Sequence, residues 1–120
     1  MQRFIIEMGM GNDLHGGDYT KAAARAIEDA IRHSSIPMLP VLGIDHAEMQ
    51  VRVTVGVADP AAVDVTALKA GLPRGTVTVT AVEGGLDVTN PDTGGVSIVA
   101  TAAVEAFLPP GLAREKAAQS

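Results

Sequence analysis

Between Val96 and Leu108, apolar side chains fall on both sides of an extended chain. Ile98, Ala100, Ala102, Val104 and Ala106 lie on one side, Val99, Ala103 and Phe107 on the other. A strand alternates its side chains between two faces, so a run apolar on both belongs inside a sheet that is covered twice. Any fold this chain adopts has to provide two covers for that strand.

The remaining patterns say what is available. Residues 3–8 (RFIIEM) read as a first, mostly buried strand. Residues 20–33 place Ala23, Ala26, Ile27, Ala30 and Ile31 at helical spacing, with Lys21, Arg25, Glu28, Asp29 and Arg32 on the opposite side. Residues 36–48 carry two prolines and a glycine among apolar residues and read as a packed connection. Residues 49–57 alternate Met49, Val51, Val53, Val55 and Val57 with smaller or polar partners, a half-buried strand that Asp59-Pro60 ends. A short helix is predicted over 64–70, stopped by Gly71, and a third strand over 76–82. Glycine and turn clusters at 83–85 and 90–95 punctuate the path into the last strand.

The order β-α-β-α-β-β predicts a single two-layer α+β domain over residues 1–108, a four-stranded mixed sheet with two helices on one face, followed by a patternless tail over 109–120. Two helices cover one face only. The chain has 120 residues and nothing left for the other face, so self-association is expected, at roughly 25 cal/mol per Å² of apolar surface removed from water.

Composition narrows the function. Hydrophobic residues make up 47% but aromatics only 2%, and the net charge is −5 with no basic run. That disfavours a nucleic-acid face, which needs basic patches and stacking platforms. The absence of cysteine removes disulfides, zinc-thiolate sites and thiol nucleophiles. No apolar run approaches the roughly 18–20 residues that span a bilayer. No membrane partner is expected, and a cytoplasmic location is.

Chemistry concentrates in residues 9–20 (GMGNDLHGGDYT), read as a glycine-rich loop leading into a helix start. Glycines admit close backbone approach, and a helix N-terminus offers unpaired N–H groups, a combination that can cup an anion or a polar small molecule. Gly9, Gly11, Gly16, Asp18 and Thr20 are the expected ligand-binding positions. Asp13 could orient His15 as a proton-transfer group, with Lys21 assisting as a cation at the same helix end. Alternatively, Asp13, His15 and Asp18 could ligate a divalent cation, or Asp13 could satisfy loop N–H groups while His15 simply packs. No metal-ligand spacing such as H-x-x-x-H, no dinucleotide fingerprint and no P-loop is present, so neither a metal nor a cofactor is predicted. Arg74, in a Pro-Arg-Gly turn, and Glu83, before two glycines, are expected to complete a ligand site across a subunit boundary.

The pattern Gly9-x-Gly11-x-Asp13-x-His15-Gly16 is similar to the G-x-G-x-D-x-H-G signature of a small conserved hypothetical family of bacterial proteins, the Lin family, and the similarity runs to about Leu108. That resemblance implies no activity. The element order also resembles the chorismate-mutase-like or YjgF-like fold, seen in the repeat units of cyanuric acid hydrolase and barbiturase. Such proteins are typically trimers with ligand sites between subunits, which implies a trimer here. Two functions are therefore expected. One is an oligomeric enzyme performing proton transfer or hydrolysis on a polar or anionic small molecule. The other is a non-catalytic module that binds a metabolite with the same loop.

Overall fold

The computed structural model describes residues 1–32, 49–72 and 76–110. The chain runs β1 (Gln2–Asp13), α1 (Tyr19–Arg32), β2 (Gln50–Val57), a single 3-10 turn at Pro60–Ala62, α2 (Val65–Ala70), β3 (Thr76–Glu83), β4 (Leu86–Thr89) and β5 (Val96–Leu108). The tail beyond residue 110, the connection 33–48 with His33 and His46, and residues 73–75 with Arg74 lie outside the described residues.

The strands form one mixed sheet in the order β1-β5-β2-β3. β5 runs antiparallel to β1 and β2, while β2 and β3 are parallel. The α+β architecture agrees with the sequence reading, with two differences. The sheet has five strands instead of four, because β2 pairs with β5 only as far as Thr101 and leaves the thirteen-residue β5 with free hydrogen-bonding groups beyond it. The chain leaves β3 through Gly84 and Gly85 and β4 takes up that vacancy, pairing Leu86 with Val99 and Thr89 with Val96. Gly85 has φ +64°, and a Cβ there would stand 2.2 Å from the Val99 carbonyl oxygen, so only glycine makes the sidestep.

The second difference is at β1. Residues 9–13 continue the strand and are not loop, pairing Gly9 with Ala102, Gly11 with Ala100 and Asp13 with Ile98. Only residues 14–18 connect it to α1.

Helix α1 packs on β1, β5 and β2, α2 packs on β3, and the two helices touch. Between the layers lie Val51, Val53, Val55 and Val57 of β2 and the alternate residues Ile98 to Leu108 of β5. The helix contributes Ala22, Ala23, Ala26, Ile27 and Ala30. Its alanines bring the helix backbone close, and two glycines of β1 bring it closer. An added Cβ on Gly9 would stand 2.4 Å from Ala30 N, and one on Gly11 2.4 Å from Ala26 N and 2.6 Å from the Ala22 carbonyl oxygen. Two strand residues span about 6.8 Å and four helix residues about 6.0 Å, so glycines two apart meet an alanine ridge four apart.

The opposite face carries no helix among the described residues. Ile6, Met8 and Met10 of β1, Val82 of β3, and Leu86 and Val88 of β4 all point to it and are exposed, Met8 by 71% and Met10 by 61%. No helix of the described residues is long and apolar enough to cross a membrane.

Candidate functional site

Asp13, the last residue of β1, turns its side chain under the loop that follows and is 4% exposed. Its Oδ2 accepts a hydrogen bond from the Asp18 N–H at 2.8 Å, and the carboxylate also accepts from the Gly16 N–H. Its Oδ1 lies 3.9 Å from Arg25 Nη1. A Cβ on Gly16 would stand 2.8 Å from Oδ2, so a larger residue there would have to displace the carboxylate. Gly17 takes φ +64°, which turns the chain back toward the helix.

Asp18 then caps α1: its Oδ1 accepts from the Lys21 N–H at 3.0 Å and its carbonyl from the Ala22 N–H. Thr20 Oγ1 accepts from the Asp64 N–H at 2.9 Å, and Asp64 caps α2 through the Ala67 N–H. One residue thus joins the starts of both helices. The Tyr19 hydroxyl donates to Asp87 and ties α1 to β4. That bond is the main reason the phenol's pKa is raised, with desolvation and the charges of Asp87 and Asp59 adding to it.

The Asp18 N–H bond, chiefly, pulls the Asp13 pKa below its ordinary 3.8. Burial opposes it, while the Gly16 N–H and the charges of Lys21 and Arg25 add to the lowering. A carboxylate with a depressed folded-state pKa contributes stability that is present above its unfolded value and is lost as pH falls through the folded value. The Asp13→Asn variant is therefore expected to be less stable than wild type at pH 7. It is also expected to lose less stability on acidification below about pH 4, as urea midpoints across that range would show. Parallel wild-type and variant curves would refute the assignment.

The structure separates the sequence-predicted residues by role. Gly9 and Gly11 lie in a strand beneath a helix and serve packing, not a loop. Asp13 is spent on loop N–H groups, and no hydrogen bond joins it to His15 among the described residues. His15 and Lys21 side chains are exposed at the loop and the first turn of α1. Glu83 ends β3, and no hydrogen bond or ion pair links it to the loop. No group of three or more His, Asp or Glu side chains that could hold a metal occurs among the described residues.

Two residues assigned to a solvated helix face have a further duty. Asp29 Oδ2 accepts from the Met10 N–H at 3.0 Å, and Arg25 Nη1 donates to the Asn12 carbonyl at 2.7 Å. Both reach over the free edge of β1 and satisfy outward backbone groups, which blunts that edge against stray strand pairing. The signal for them was geometric, since they share the helix side that follows the Ala22–Ala26–Ala30 ridge.

Residues 3–106 match a family described as conserved hypothetical protein, Lin0512_fam. A crystal structure of an FtsZ-like protein of unknown function from Nostoc punctiforme superposes with a TM-score of 0.76. Its sequence is 37% identical, and the match covers 89% of this chain and 95% of that one. No curated protein matches.

Proposed function

We propose, for a chain that belongs to the conserved hypothetical family Lin0512_fam, that it is a homo-oligomeric module that binds a polar or anionic small molecule beside His15 and Lys21 without turning it over. One observation carries the reading. Of the five residues in the Gly9-x-Gly11-x-Asp13-x-His15-Gly16 pattern, four have a structural duty and His15 has none. Gly9 and Gly11 admit the helix, Asp13 staples the loop and Gly16 admits Asp13, while the His15 side chain is left to solvent on a loop held in one shape. A hydrogen-bonding imidazole there, with Lys21 in the first turn of the helix that the loop enters, suits a carboxylate or phosphate. Catalysis is the weaker reading, because a proton-transfer histidine needs an orienting partner, and the Asp13 oxygens go to the Gly16 and Asp18 N–H groups and toward Arg25.

The strand order, with antiparallel β5 inserted between parallel β1 and β2, supports the chorismate-mutase-like or YjgF-like assignment. With that fold a trimer is the favoured oligomer, and the uncovered apolar face supports association.

The His15→Ala variant is expected to keep wild-type stability within about 0.5 kcal/mol, as an exposed side chain with no hydrogen bond or ion pair among the described residues should. Amide spectra titrated with inorganic phosphate and with acetate should show shifts at residues 14–18 in wild type and none in the variant. Shifts unchanged by the substitution, or absent from the loop in wild type, would sink the binding site.

A further inference from the structure

The uncovered sheet face has relief, and the register of the strands shows it. Across β1, β5, β2 and β3, one row reads Met8, Ala103, Thr54, Thr80 and the next reads Met10, Thr101, Gly56, Val82. Small side chains occupy the middle of both rows, flanked by methionine on the β1 side and, in the second row, by Val82 on the β3 side. The result is an open trough of about 560 Å³ floored by Thr54, Gly56, Thr101 and Ala103, with Met8 and Met10 standing along one side and Val82 along the other. Gly56 keeps the floor low, since a Cβ there would stand 2.7 Å from Thr101 Oγ1.

Three properties point to a second copy of this chain as the occupant. The first is area. Ile6, Met8, Met10, Val82, Leu86 and Val88 at their observed exposures leave on the order of 500 Å² of apolar surface, the scale at which a patch marks an interaction site and over half of the about 800 Å² per partner in a stable interface. The second is charge. The chain carries net −5, so copies repel through most of their surface. This face holds Arg3, Arg52 and Glu105 at one end, with Arg3 3.4 Å from Glu105 and Arg52 over the Phe107 ring. The two trough rows carry no charge themselves, and the charged residues that also line the trough are Asp29 and Glu83. The third is shape, because the face carries both the protruding side chains and the depression that would receive them. Methionine suits such a contact, being unbranched and adaptable.

Resting on the homo-oligomer reading above, we infer that Met8 and Met10 of each copy pack into the Thr54–Gly56–Thr101–Ala103 trough of a neighbouring copy. Closed symmetry lets every copy give and receive the same contact.

The absence of native cysteine makes the test clean. Met8→Cys and Thr54→Cys chains, carrying different tags, are co-expressed and mildly oxidised, with Glu28→Cys on the helix layer replacing Thr54→Cys as control. The Met8→Cys/Thr54→Cys mixed disulfide is expected to form at least about tenfold faster than the Met8→Cys/Glu28→Cys one, because only held neighbours meet within disulfide reach. Light scattering on unoxidised wild type is run alongside. An oligomer whose Met8→Cys chains do not crosslink to Thr54→Cys overturns the packing while leaving self-association intact. A wild-type monomer overturns both.

Discussion

Replacing Gly11 by alanine is expected to destabilise the protein by at least about 3 kcal/mol, the upper range for forcing atoms into a packed interior. The sign is what makes the result informative. Glycine within a strand ordinarily costs roughly 0.5–1 kcal/mol relative to alanine, so an unconstrained site would gain from the change. Here the new Cβ would lie 2.4 Å from Ala26 N and 2.6 Å from the Ala22 carbonyl oxygen. Both are helix backbone atoms, so truncating a neighbouring side chain cannot relieve the clash, and α1 must lift from β1. Gly9→Ala meets Ala30 N and the Ala26 carbonyl oxygen in the same way. With total stabilities of about 5–15 kcal/mol, the double variant should not fold. Gly17→Ala is the control, having nothing within 4 Å of its Cβ and costing only about 1–2 kcal/mol for its positive φ. Urea midpoints at unchanged slope report the comparison. A Gly11→Ala protein as stable as wild type would mean that the helix does not press on β1.

The second large effect is on assembly. The double variant Met8→Lys/Met10→Lys should weaken self-association at least about 100-fold, equivalent to about 2.7 kcal/mol, because it would bury two ammonium groups against an apolar trough. Both side chains are exposed in the single chain, so the fold itself should survive. Sedimentation equilibrium over a range of concentrations measures the shift, with Thr93→Lys in the exposed 90–95 turn as the charge control. The unfolding midpoint should also lose its dependence on protein concentration, since association no longer contributes to it. A double variant that associates as tightly as wild type would remove this face from the interface.

Much of the architecture was legible because side-chain periodicity is local. The alternation across 49–57 became β2, and the two-sided apolar run Val96–Leu108 became the strand with neighbours on both edges. Four of the five helix residues expected to be buried are so, with Ile31 half-buried and Ala22 taking the fifth place. β4 was missed because Leu86–Thr89 is exposed throughout and has no burial pattern of its own. It exists because β5 outlasts β2, a fact about partners far away in sequence.

The structural roles of residues 9–18 were not legible in the sequence. Glycines and a carboxylate near a helix start read equally well as a ligand cradle or as packing and capping. Gly9 and Gly11 are glycine because a helix backbone lies on them, and the clue, a spacing of two set against alanines four apart, becomes decisive only once strand and helix are known to cross. The sequence allows Asp13 as an orienting group or as a loop staple. Its two N–H partners and its burial make it a staple, leaving His15 and Lys21 as the groups that face solvent.

Apart from β4 and the continuation of β1 through residues 9–13, element types and their order were determined by the sequence alone, since these depend on side chains a few positions apart. Tertiary structure decided which glycine touches a helix, which carboxylate is already satisfied and which apolar face remains uncovered. Those outcomes depend on contacts between residues such as Gly11 and Ala26, or Met10 and Asp29, brought together only when strand pairing and helix packing are complete.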